Sequence, residues 1–119
     1  MSKAATSVFV FSLYMFVLGL VLLVVPNILL RLFGIPETTE VWIRVVGMLV
    51  FILGYYYFQA ARNELTVFFK ASVVGRFSVL VFLIAFVLLG FAPPVLIVFG
   101  LIDSAAALWT ALSMRSEGS

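Results

Sequence analysis

Cysteine and histidine are absent from the 119 residues, and charged side chains make up only 10% of them. Without cysteine there are no disulfides and no thiol redox chemistry. Without either residue the usual ligands of zinc and haem are gone, so no metal and no cofactor are expected. Cys-His, Ser-His and metal-His catalysis are excluded with them. Seven basic residues against five acidic ones give a net charge of +2, with no basic run, which leaves no electrostatic footprint for nucleic acid. Prolines are few as well, and Pro26, Pro36, Pro93 and Pro94 all stand at the borders of apolar runs.

What is present is apolar: 66% of the chain is hydrophobic, at a mean hydropathy of +1.32. A soluble domain carries roughly a quarter charged residues, and one this short has too little interior to hide so much oily surface. The lipid bilayer is therefore the expected partner. A span needs about 20 apolar residues, so the length suits one all-α domain of four crossings.

The expected spans cover residues 8–25, 41–61, 72–91 and 95–114, with Val67-Phe68-Phe69 as an alternative backward extension of the third that leaves Lys70 to snorkel. Pro26 ends the first, and no small-residue cleavage signal follows it, so a retained helix is expected rather than a signal peptide. Residues 27–35 are too short to cross and read as an interfacial segment with Arg31 at the headgroups, stopped by Gly34. Residues 115–119 read as a short solvated tail. With four spans both termini share a side, and Lys3, Arg62, Lys70, Arg76 and Arg115 fall there against Arg31 and Arg44 on the other. That bias predicts an integral membrane four-helix bundle, multi-pass in the cell membrane, with both termini on the cytoplasmic side.

In FGLIDSAAALWT a single carboxylate, Asp103, interrupts small and oily residues. Helical rise from the Pro93-Pro94 corner puts it about 15 Å deep, with Arg44 only about 5 Å and Arg76 about 22 Å below the same surface. The Arg76 side chain reaches about 6 Å along the axis, which makes it the expected partner; Tyr14, about 17 Å deep, is a second donor at that level. Gly100, Asp103, Ala107, Thr110 and Met114 form a seam at steps of three and four, and Gly47, Gly54 and Ala61 form another at steps of seven, both suited to close helix approach. Gly75-Arg76, Val79, Leu83, Phe86 and Gly90 suggest a comparable seam on the third span. A carboxylate in hydrocarbon costs at least about 3 kcal/mol, so Asp103 is either clamped by a partner or serves as an ion or substrate site.

Other residues have plainer expectations. Tyr55, Tyr56 and Tyr57 cannot all face one way, so one ring should turn inward and another toward lipid. Arg44 and Arg62, at opposite ends of the second span, read as headgroup anchors or ligand clamps, and Trp42 as part of the outer aromatic belt. The thirteen phenylalanines read mostly as lipid-facing bulk, and Ser12, Ser72, Ser78 and Ser104 as donors of interhelical hydrogen bonds.

The order LLRLFGIP, WIRVVGMLVFILGYYYFQAAR, GRFSVLVF and GLIDSAAALWTAL resembles, over nearly the whole chain, small four-helix bacterial membrane proteins of unknown function grouped loosely with the DoxX-like proteins. Its matching positions are Arg44, Gly47, Tyr56, Arg62, Arg76 and Asp103. The resemblance implies a four-helix bundle. Some DoxX relatives are described as subunits of quinone-linked oxidoreductases, but this chain has no cysteine or histidine to hold a redox centre. The leading expectation is a non-enzymatic membrane protein whose polar core of Asp103, Arg76, Tyr14 and a tyrosine of the triplet packs the helices or binds a small lipid or amphiphile between them. The alternatives are an accessory subunit of such an oxidoreductase and a small ion or proton channel or transporter using Asp103.

Overall fold

A computed structural model describes residues 1–116. They are all-α: α1 Lys3–Val24, α2 Pro26–Leu32, α3 Trp42–Arg62, α4 Thr66–Leu88 and α5 Ile97–Ser116, the last entered through a 3-10 turn at Pro94–Leu96. Four of these, α1, α3, α4 and α5 with its turn, are long and apolar enough to cross a membrane. The helices fall into two compact units, one made of Met1–Val8 with the chain from Ala60 onward, the other of Phe9–Gln59. The part of the expected tail beyond Ser116 lies outside the described residues.

Three helix ends share one device. After α2 the N–H of Gly34 reaches Arg31 O at 3.1 Å and that of Ile35 reaches Leu30 O at 2.8 Å; after α4, Gly90 bonds Val87 O at 3.1 Å and Phe91 bonds Phe86 O at 2.8 Å. Both glycines have positive φ, 69° and 78°, the conformation that closes a Schellman turn. After α3 the same position is Glu64, at φ 52°, with Leu65 N bonded to Ala60 O at 3.0 Å. A non-glycine residue there carries backbone strain, and the Glu64 side chain has a partner that offsets it. Its two carboxylate oxygens accept from the Ser2 backbone N–H at 2.6 Å and the Ser2 hydroxyl at 2.7 Å. The Ser2 hydroxyl in turn accepts from Ala5 N–H at 3.0 Å and caps the start of α1.

These caps account for the shifted boundaries. Capping by Ser2 starts α1 five residues before the expected position 8, and the turn at Gly90 ends α4 at Leu88 rather than at 91. Since α4 begins at Thr66 instead of 72, Arg76 falls at mid-helix, about 15 Å from one end and about 18 Å from the other.

In the first unit α4 packs against α5. They come close at Gly100, where a Cβ would meet Leu80 Cα at 2.8 Å. The buried stripe of α5 runs through Gly100, Ser104, Ala107, Thr110, Ser113 and Met114. Asp103 stands at its edge, half-buried. In the second unit α1 and α3 meet backbone to backbone. A Cβ on Gly19 would lie 2.6 Å from Phe51 N, one on Gly47 2.6 Å from Leu23 N, and one on Gly54 3.1 Å from Met15 Cβ. Beside that seam rings interleave, Phe16 with Phe51 at 5.1 Å, Phe9 with Phe58 at 5.4 Å and Phe11 with Tyr57 at 5.6 Å.

Candidate functional site

The polar centre of the first unit is built on Arg76. The residue is 2% exposed, and its side chain runs back one helical turn, the direction in which Cα–Cβ bonds tilt. Nε donates to Ser72 O at 3.2 Å, and Nη2 donates to Ser72 Oγ at 2.9 Å and to Thr110 Oγ1 at 3.0 Å. Thr110 shares a 2.6 Å hydroxyl bond with Ser7 and is fully buried, so α1 joins through Ser7 the hydroxyl that links α4 to α5. The helices can supply these oxygens because small hydroxyl side chains fit where helices approach closely.

Asp103 stands apart from that network. Among the described residues its carboxylate accepts no hydrogen bond and forms no contact ion pair, although the charge of Arg76 acts on it across space. The expected clamp of Asp103 directly onto Arg76 is replaced by a hydroxyl cradle, because the guanidinium turns toward Ser72 and Thr110 rather than toward Asp103. Next to Asp103, the buried hydroxyl of Ser104 has no hydrogen-bond partner among the described residues.

The second unit holds a different arginine centre. Pro26 has no N–H to give the end of α1, which leaves carbonyls there without helical partners. Arg44, three residues into α3, supplies the missing donors: Nη1 lies 2.6 Å from Leu23 O and 3.1 Å from Val24 O. A cation at a helix C-terminus also meets the negative end of its dipole. Arg44, Arg31 and Asn27 line a cavity of about 310 Å³ at this junction. Arg31 pairs with Glu37 at 2.6 Å, both well exposed, and Asn27 Oδ1 accepts from Thr38 N–H at 2.9 Å.

The remaining expected residues fall in both units. Tyr14 lies in the second unit with its ring 5.4 Å from that of Phe11. Tyr55 and Tyr56 are exposed, their rings 6.2 Å apart, and the Tyr55 hydroxyl accepts from Gln59 at 3.2 Å. Tyr57 is the member of the triplet turned inward, against Phe11. Arg62 is exposed at the end of α3. Gly75, expected on a packing seam, is exposed with no atom within 4 Å of a would-be Cβ.

Three serines expected to bond between helices bond within their own: Ser12 to Phe9 O, Ser72 to Phe69 O and Ser78 to Val74 O. A carbonyl one turn back is in reach without ordering anything else. The interhelical hydroxyl contact belongs instead to Ser7 and Thr110. Ser7 was legible only as a small residue beside Ala4 and Val8, within the stretch before the expected start of the first span. Among the described residues no group of three His, Cys, Asp or Glu is placed to hold a metal ion. The chain matches no family model, no curated protein and no solved structure.

Proposed function

We propose that this chain is a non-enzymatic multi-pass membrane protein in which the cradle around Arg76 fixes the packing of its helices. The observation that carries the reading is Arg76 itself: the residue sits at mid-helix, 2% exposed, with its guanidinium bonded to hydroxyls on α4 and α5. A buried charge whose donors end on side chains of two helices holds them in one register, and removing it leaves those oxygens without their donor. The four long apolar helices support insertion in a bilayer. Arg76, lying at mid-helix, drops out of the charge balance between the two sides. Lys3, Arg62, Lys70 and Arg115 still outweigh Arg31 and Arg44, which supports a bundle with both termini in the cytoplasm.

A double-mutant cycle tests this. In the reconstituted protein Arg76→Leu is expected to destabilise by about 3 kcal/mol and Thr110→Val by about 1 to 2 kcal/mol. The double variant should lose less than the sum by about 1 kcal/mol or more. Additive losses would show that the two side chains are not coupled and would sink the packing role.

A second reading rests on Asp103 and Ser104, a half-buried carboxylate and a buried hydroxyl, consecutive in α5, that have no hydrogen-bond partner among the described residues. Such a pair suits an ion, or the polar end of a small amphiphile, near mid-helix. Under this reading Asp103→Asn abolishes ion or proton flux in proteoliposomes with little change in stability. Unchanged flux would discard it.

A further inference from the structure

The geometry points to a phospholipid site at the junction of α1 and α2, where the cavity between Arg31 and Arg44 holds the phosphate of an anionic headgroup; this rests on the membrane reading but not on the role of Arg76. The site is an open cleft of about 310 Å³ whose lining includes Arg31, Arg44 and Asn27, a size at the lower end for ligand sites. Its donors exceed what the protein accepts. Arg31 uses Nε on Glu37 and keeps both terminal amino groups. Arg44 uses Nη1 on two carbonyls and keeps Nε and Nη2. Asn27 uses its oxygen on Thr38 and keeps its NH2. Guanidinium forks match phosphate oxygens in pairs, and charge-assisted bonds of this kind are the strong ones.

Charge points the same way. Glu37 pairs with Arg31, but the partners of Arg44 are neutral carbonyls and Glu40 makes no contact pair with it among the described residues, so the Arg44 charge is not cancelled by contact. The surroundings favour a lipid over a free phosphate. Val25 and Ile28 in the lining are exposed, Leu32 at the end of α2 is 77% exposed, and the cavity begins where the apolar helix α1 stops. A headgroup bound there would leave its acyl chains along these apolar side chains.

The test uses the full chain in detergent micelles, with phosphatidylglycerol, phosphatidylcholine and inorganic phosphate as probes and native mass spectrometry to count retained lipid. One phosphatidylglycerol should be retained in preference to phosphatidylcholine. Arg31→Gln should weaken that retention about tenfold, the equivalent of one charge-assisted hydrogen bond. Arg31 makes an exposed pair, so this variant should keep its fold, whereas Arg44→Gln would also uncap α1. Arg115→Gln removes the same charge outside the cavity and should change nothing. Equal losses in Arg31→Gln and Arg115→Gln overturn the site. Displacement of phosphatidylglycerol by millimolar inorganic phosphate overturns the lipid assignment and makes the free anion the ligand. Carbonate extraction of the chain from cell membranes would overturn the membrane reading and this one together, while membrane retention with unselective lipid binding overturns the site alone.

Discussion

Two glycine-to-alanine substitutions of identical chemistry should move stability in opposite directions. At Gly47 the added methyl would lie 2.6 Å from Leu23 N, 2.8 Å from Gly19 O and 2.8 Å from Leu22 C, all of them backbone atoms of α1 that no rotamer change can move. The helices must separate, and overpacking of this kind costs about 1 to 3 kcal/mol. At Gly75, inside α4, nothing lies within 4 Å, so alanine keeps only the helix-propensity gain, up to about 1 kcal/mol. The two variants should therefore differ by about 1 to 4 kcal/mol. Gly19→Ala strains the same contact as Gly47→Ala, so the pair should be less than additive. Denaturant titration in mixed micelles, followed by the fluorescence of Trp42 and Trp109, measures all of these. A Gly47→Ala protein as stable as Gly75→Ala would refute the backbone contact between α1 and α3.

Replacing Arg44 by Gln takes a charged donor from Leu23 O and Val24 O and should destabilise by about 1.5 to 3 kcal/mol, measured by the same titration, and Arg44→Lys should recover part of the loss. Glu64 lies between α3 and α4, and the Ser2 hydroxyl first, with its backbone N–H second, holds its carboxyl below the usual 4.5. Because the folded value is depressed, the Glu64 contribution is present above the unfolded value and is lost as pH falls through the folded one. An NMR titration should find the Glu64 midpoint below 4.5 and move it upward in Ser2→Ala. For topology the absence of native cysteine gives a clean background. Single cysteines at Ser2 and Ser116 should be shielded from an impermeant thiol reagent in intact cells and one at Thr38 should react, and labelling at both ends would reverse the orientation.

The four apolar helices were legible because length and hydropathy alone define them. Their ends were less so. The early start of α1 depends on Ser2, whose capping role is reinforced by Glu64 sixty-two residues away, and no local pattern announces such a contact. Proline and glycine punctuation at Pro26, Gly34 and Gly90 could be read directly, whereas Glu64 in the left-handed conformation could not, since a carboxylate is no signal for a Schellman turn. In the candidate site Arg76 and Asp103 were visible as charges among oily residues, but the direction of the guanidinium was not. Helical depth puts Arg76 within reach of the Asp103 carboxylate; the structure gives it hydroxyls, and hydroxyls on apolar helices are too common for one to stand out.

Arg44 and Arg76 share a logic that the net charge hides. Each donates to neutral oxygens, Arg44 to the two carbonyls that end α1 and Arg76 to Ser72 and Thr110. A hydrogen bond to a neutral acceptor satisfies a donor's geometry without cancelling its charge, so each guanidinium still projects a positive field into its surroundings, and that field is weakly screened where water is scarce. Near Arg76 the half-buried Asp103 feels it across space. At Arg44 no carboxylate among the described residues makes a contact pair, and the cavity beside it is where an anion can answer that charge. Under the proposed readings, the hydrogen bonds of Arg44 and Arg76 hold the helices in register, while the charge those bonds leave uncancelled is what an anion would answer.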